Sequence, residues 1–328
     1  MKSRPMACAA AALALTLTVA ALAQSGGATG ATSQTECSKE TAMSEFGMTT
    51  TGAKRTYEQT LRVKASPEEV WDAIATAEGL ERWFPIDARV TPGVGGTLFT
   101  SWRNEHQWTC PITIWEPPVR LRNLWCAADT PEPQQMGVDW FISREGNETV
   151  IRLVHFGIGF GGEWDQMYDG VSRGWEFELE SLRRALDEHP GQGRQVVYTV
   201  VRLGDLPREE AWRRVFATGG LLAPELSSLK EGQSFTSPLA GDLRLSGTVR
   251  RASPGKDFQA TIDNLSGALL RVQIDPCIQA EGNALSIWLS VWDDDSARVD
   301  RLSQCVVDRL AAAFGAENVS DPVHQSTH

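Results

Sequence analysis

SPEEVWDAIATAEGLERWFP, residues Ser66–Pro85, begins with a complete helix start. The Ser66 hydroxyl suits a cap for orphan N–H groups, and Pro67 sits where its missing N–H is not needed. Glu68 and Glu69 face the positive end of the helix dipole. Val70, Trp71, Ile74 and Ala77 then recur at helical spacing on one face. Gly79 stops the helix, and a short second turn carries Leu80, Trp83 and Phe84 to Pro85. The stretch returns 141 residues later. Tyr57, Glu68, Glu69, Trp71, Gly79 and Leu80 recur as Tyr198, Glu209, Glu210, Trp212, Gly220 and Leu221, and Ile74 maps onto Val215. Six ungapped identities in a 24-residue window read as a tandem duplication of one domain of about 140 residues.

The chain has 328 residues, 41% hydrophobic and 22% charged, which leaves room for two domains with cores of their own. Its net charge of −11 argues against nucleic acid and against an anionic membrane surface as partners. Nine of twelve tryptophans fall between Trp71 and Trp175, so the first domain is expected to have an aromatic interior, whether as packing or as a binding surface.

Residues 1–23 have the pattern of a secretory signal peptide: Lys2 and Arg4, an apolar run Ala7–Leu22, and Ala21-Leu22-Ala23 before Gln24. The run is too short for a stable membrane span. This predicts a periplasmic or secreted protein. The alternative is a start at Met43 or Met48 and a cytoplasmic one. Residues 24–54 read as a disordered polar linker. Of the five cysteines beyond the leader, Cys37, Cys110, Cys126, Cys277 and Cys305, none forms a C-x-x-C or a Cys/His cluster, so no metal site is expected. A hairpin symmetric about Pro118 sets Cys110 opposite Cys126. That makes the pair a disulfide candidate, the alternative being two buried thiols.

Strand patterns follow at Tyr57–Lys64, Asp87–Val90, Gly95–Trp102, 106–116, 119–127, Val138–Arg144 and Thr149–Phe156. A long helix, Asp165–Glu188, closes the half with Val171, Trp175, Leu179, Leu182 and Leu186 on one stripe. An antiparallel sheet cannot bury its concave face alone, so this helix is expected to lie across it.

This order resembles the START/polyketide-cyclase-like (SRPBCC) superfamily, and within it the family named for homologues of the activator of Hsp90 ATPase. The residues that carry the resemblance are Ser66-Pro67-Glu68-Glu69-Val70-Trp71, Leu80-x-x-Trp83-Phe84, Gly95-Gly96, Glu116-Pro117-Pro118, His155-Phe156-Gly157 and Gly174-Trp175. The resemblance implies an α+β protein with two tandem helix-grip (START-like) domains, each a curved antiparallel sheet wrapped on a long C-terminal helix. Residues 55–190 form the first domain and 195–316 a divergent second one, with a disordered tail at 317–328. The second half keeps Arg208-Glu209-Glu210-Ala211-Trp212 and a closing helix Ser296–Phe314 but loses the Trp83-Phe84-Pro85 turn.

The resemblance also implies a cavity between sheet and helix for a hydrophobic small molecule, lipid-, sterol- or polyketide-like. Trp83, Trp102, Trp140, His155 and Trp175 are expected to approach it. The first reading is an exported binding protein without catalytic residues or cofactors. One alternative is a cyclase or dehydratase using His155 with Asp139 or an arginine. The other is a chaperone-associated interaction protein if the chain is cytosolic; which protein it would bind the sequence leaves open. Gly157, Gly159 and Gly162 fit G-x-G-x-x-G, but they follow antiparallel strands and are read as a bend beside the cavity, not a nucleotide loop.

Overall fold

The structure, a computed structural model, describes residues 53–102, 107–241, 243–276, 282–292 and 295–325. The leader, Cys37, Cys277 and the polar tip 103–106 lie outside the described residues.

The first half runs β1 (Arg55–Val63), α1 (Pro67–Ala75), α2 (Ala77–Glu81), β2 (Asp87–Thr91), β3 (Thr97–Ser101), β4 (Gln107–Glu116), β5 (Arg120–Leu124), β6 (Gly137–Glu145), β7 (Glu148–Ile158) and α3 (Glu163–Asp187). Its seven strands form one antiparallel sheet in the order β1-β7-β6-β5-β4-β3-β2. Helix α1 starts as its residues dictate: Ser66 Oγ accepts the Glu69 N–H, and Glu69 Oε2 accepts the Ser66 N–H at 2.7 Å. Its apolar face buries Val70, Trp71 and Ile74, with Trp71 edge-on to Trp115 at 5.0 Å.

The second half repeats the plan with β8 (Gln195–Gly204), α4 (Arg208–Val215), β9 (Ser234–Pro238), β10 (Arg244–Ser253), β11 (Asp257–Ile262), β12 (Ala268–Pro276), β13 (Asn283–Val291), α5 (Ser296–Phe314) and β14 (Val323–Gln325). The sheet order is β14-β8-β13-β12-β11-β10-β9. Helix α5 buries Val299, Leu302, Val306, Leu310 and Phe314 against this sheet's own core. The chain is therefore α+β, two tandem helix-grip domains, each a sheet with a long C-terminal helix.

Two expectations need correction here. Residues 317–328 are not wholly a disordered tail: Val323–Gln325 pairs antiparallel with β8, and the Ser320 N–H donates to Val200 O at 2.8 Å. This strand covers an edge that β1 leaves open in the first sheet. The Cys110–Cys126 disulfide does not form; both are free, buried thiols. The hairpin symmetry holds for Ile114↔Arg122 and Glu116↔Arg120 but fails beyond a bulge, where Ile112 pairs with Asn123. One extra residue in β4 shifts the register, so Cys110 and Cys126 no longer face each other.

Helix α3 lies between the two sheets. Its Val171, Trp175, Leu179 and Leu182 join the first core, which also takes in Tyr198, Leu269, Trp288 and Trp292 from the second sheet. The opposite stripe is polar. Arg173 bonds Asp257 on β11 and Asp275 on β12 at 3.4 and 3.0 Å, and Arg184 donates to Gly267 O. The second sheet is thus covered on both faces, which is why β12 and β13 are buried almost end to end.

Candidate functional site

The turn after α2 sets the site. Trp83 is fully buried and donates its indole N–H to Ala73 O at 2.9 Å, which ties the turn to α1. Phe84 stacks between Trp83 and Trp175, at 5.0 and 5.6 Å, and meets Trp102 edge-on at 5.2 Å. Trp140 on β6 stands edge-on to both Trp83 and Trp175, at 6.0 and 5.6 Å. Edge-on and offset contacts of this kind are the favoured geometry of aromatic rings.

These rings wall a cavity between the sheet and α3. Seven aromatic side chains line it: Trp83, Phe84, Trp102, Trp108, Trp125, Trp140 and Trp175. Ile74, Leu80, Leu98 and Val138 add aliphatic surface, and Thr100, Cys110 and Asn123 are its polar groups. Phe84, Trp108 and Trp125 are only partly buried, the other four rings fully so. The space is about 540 Å³ including its open mouth, but only about 40 Å³ is wide enough for the centre of a water-sized molecule. The cavity is therefore narrow as it stands. Burial pushes the Cys110 thiol up to about 12, partly offset by a hydrogen bond with Asn123, so it is neutral in the neutral pH range.

Trp83, Trp102, Trp140 and Trp175 come together at this cavity, but His155 does not line it. His155 on β7 sits behind the wall. Trp175 Nε1–H donates to its Nδ1 at 3.0 Å, and Trp125 lies edge-on to it at 4.5 Å. The ring is fully buried, and desolvation pulls it down to about 3. Nδ1 accepts, so Nε2 carries the proton, and that atom has no hydrogen-bond partner among the described residues.

The pairing of His155 with Asp139 is corrected. In the β6–β7 ladder Val138 stands opposite His155 and Asp139 opposite Val154, so Asp139 points to the other face of the sheet. There it is buried and held by Arg120 and Arg122, at 2.8 and 2.5 Å. It is an ion-paired structural carboxylate on the face of the sheet away from the cavity.

Sequence reading missed Phe84, Trp108 and Trp125 and the polar trio. The alternation Trp108, Cys110, Ile112 on β4, and Leu121, Asn123 on β5, carried the inward-facing signal. The glycine run is a bend: a Cβ on Gly157 would stand 2.2 Å from Gln135 O, and Gly161 and Gly162 have positive φ. Among the described residues no three His, Cys, Asp or Glu side chains converge as a metal site requires.

The family described as "Activator of Hsp90 ATPase homolog 1-like protein" matches residues 64–187. No curated protein matches the chain. Among solved structures, the Aha1 dimer from Colwellia psychrerythraea is 22% identical, with a TM-score of 0.36, covering 42% of this chain and 99% of its own. Protein MLL2253 from Mesorhizobium loti is also 22% identical (TM-score 0.35), over 40% of this chain and 96% of its own. The di-domain ARO/CYC BexL from the BE-7585A biosynthetic pathway spans 80% of this chain and 98% of its own at 12% identity and a TM-score of 0.36. The first domain, with its capped α1, its Trp83–Phe84 turn and its gripped α3, is thus the part of the chain that is similar to the activator of Hsp90 ATPase homolog 1-like family.

Proposed function

We propose that the first-domain cavity binds an uncharged, hydrophobic small molecule of lipid, sterol or polyketide kind. The observation that carries this is its lining: seven aromatic rings, aliphatic surface, three neutral polar side chains and no charged group. Aromatic faces gain from apolar contact, and a charged ligand would be desolvated there without a counter-ion. Asn123 and Thr100 would orient one hydroxyl or carbonyl of the ligand. The binding role is favoured over a cyclase role. No lining side chain titrates in the neutral range, and His155 is neutral, buried and screened by Trp175.

Export is part of the same proposal and rests on the pattern of residues 1–23. N-terminal sequencing of the mature protein, with Gln24 as the first residue, would support it; a chain starting at Met43 or Met48 would overturn it.

Organic extraction of protein purified from its native source, followed by mass spectrometry, tests the ligand. One neutral apolar species at near one per chain is expected. Failure to find one, together with no saturable uptake of any neutral apolar fluorophore, would remove the reading.

A further inference from the structure

The second domain grips the turn that carries Trp83 and Phe84. Arg194 lies just before β8 and is fully buried. Its Nε–H donates to Glu81 O at 3.1 Å, and its Nη2 donates to Phe84 O at 3.2 Å and to Pro85 O. Nη1 reaches Ser290 Oγ on β13 at 3.5 Å. Trp292, just past β13, donates its indole N–H to Arg82 O at 3.1 Å while stacking on His189. Ser181 Oγ on α3 donates to Trp83 O at 2.8 Å. All five carbonyls from Glu81 to Pro85 are therefore held by side chains, four of them from beyond α3. An ordinary surface turn would leave such carbonyls to water.

The choice of residue fits the task. A guanidinium presents its donors as a planar fork, which meets several carbonyls at once; an ammonium is a point charge on a flexible stem. Burying it is costly, and desolvation draws its basicity down to about 10 even with the Glu178 carboxylate near. A fully buried arginine spent on backbone oxygens has a positional role more readily than a stabilising one.

We propose that Arg194 and Trp292 are positioning residues for the cavity, so that the second domain, which has lost the corresponding turn, serves to fix the ring-bearing turn of the first. This rests on the reading of the cavity as a ligand site. Phe84 is a partly buried ring of the cavity wall, and the backbone that aims it is held by the second domain.

Hydrogen exchange on the full chain tests this beside titration with a neutral apolar fluorophore, read by probe emission. The amides of Trp83, Phe84 and Ile86 are bonded to Leu80 O, Leu80 O and Ser101 O, so they are protected while the turn holds. Arg194→Lys should speed exchange across residues 80–86 at least tenfold and weaken the probe at least threefold. Arg251→Ala removes a more exposed contact of the same interface, the pair with Glu176, and should do neither. Trp292→Phe deletes one donor but keeps the ring stack, and it must give the same pattern if Arg194→Lys fails to fold. Unchanged exchange in 80–86, equal effects from Arg251→Ala, or faster exchange with unchanged probe affinity would each overturn the proposal. A wild type that binds no probe would sink the cavity reading, while the exchange data would still decide whether the turn is clamped.

Discussion

Trp175 gives its indole N–H to Nδ1 of His155, and burial keeps the imidazole neutral down to about pH 3. Unfolding frees it to protonate near its ordinary value of about 6.5. Between these values the unfolded state binds the extra proton, so the stability due to neutral His155 is complete above about pH 6.5 and drains away as pH falls toward 3. The His155 ring signals in an NMR titration should stay unchanged from pH 8 to pH 5; a midpoint near 6.5 would mean that the ring reaches solvent. Gly79 and Gly220 make the duplication concrete. A Cβ on Gly79 would stand 1.9 Å from Asp72 O, and one on Gly220 would stand 2.3 Å from Arg214 O. Both glycines are required where a short helix is followed by a tight approach of the chain to its own carbonyls, which is why they recur at a fixed offset.

Helix α3 was legible as an amphipathic helix, but only one of its two packed faces was. The stripe Val171, Trp175, Leu179, Leu182 announces a sheet below it. The stripe Arg173, Glu176, Glu180, Arg184 reads as solvated, yet it meets charged and polar residues of the second sheet. Charge complementarity across a buried interface leaves no hydrophobic signature in a single sequence. Strand β4 hid its bulge for a related reason, since one unpaired residue changes register without altering the alternation on either side. Glu178 on α3 gives a test of this second face. It is fully buried, and desolvation raises its carboxyl to about 8 although Arg194 and Arg271 pull it down. The folded state holds that proton between about pH 4.5 and 8 while the unfolded state releases it, so stability falls as pH rises through this window. Glu178→Gln should therefore match wild type near pH 4.5, gain on it by up to about 1.4 kcal/mol per pH unit, and level off above about 8. Denaturant melts across this range check it; a variant less stable at every pH would mean that Glu178 is an ionised partner of the arginines.

Two sheets around one shared helix make the molecule more than a pair of independent repeats. The tandem plan could be read from Ser66–Pro85 and its echo, the strands and closing helices from their own periodicity, and the helix-grip arrangement from the family resemblance. The clamp of Arg194 and Trp292 on the first domain could not, since it joins residues about 110 and 210 positions apart that meet only once both sheets have formed. The cavity stood between these cases: tryptophans in the first half pointed to it, while its polar groups depended on register. Its role as a ligand site is tested most directly by filling it. Leu98 lines the cavity and is nearly buried, so Leu98→Trp places an indole where a ligand would sit. Titration of both proteins with a neutral apolar fluorophore, at a temperature where circular dichroism shows both folded, should give saturable one-to-one binding to wild type and at least a tenfold loss in Leu98→Trp. Equal binding by the two proteins, or no saturable binding by wild type, would contradict a ligand-binding cavity in the first domain.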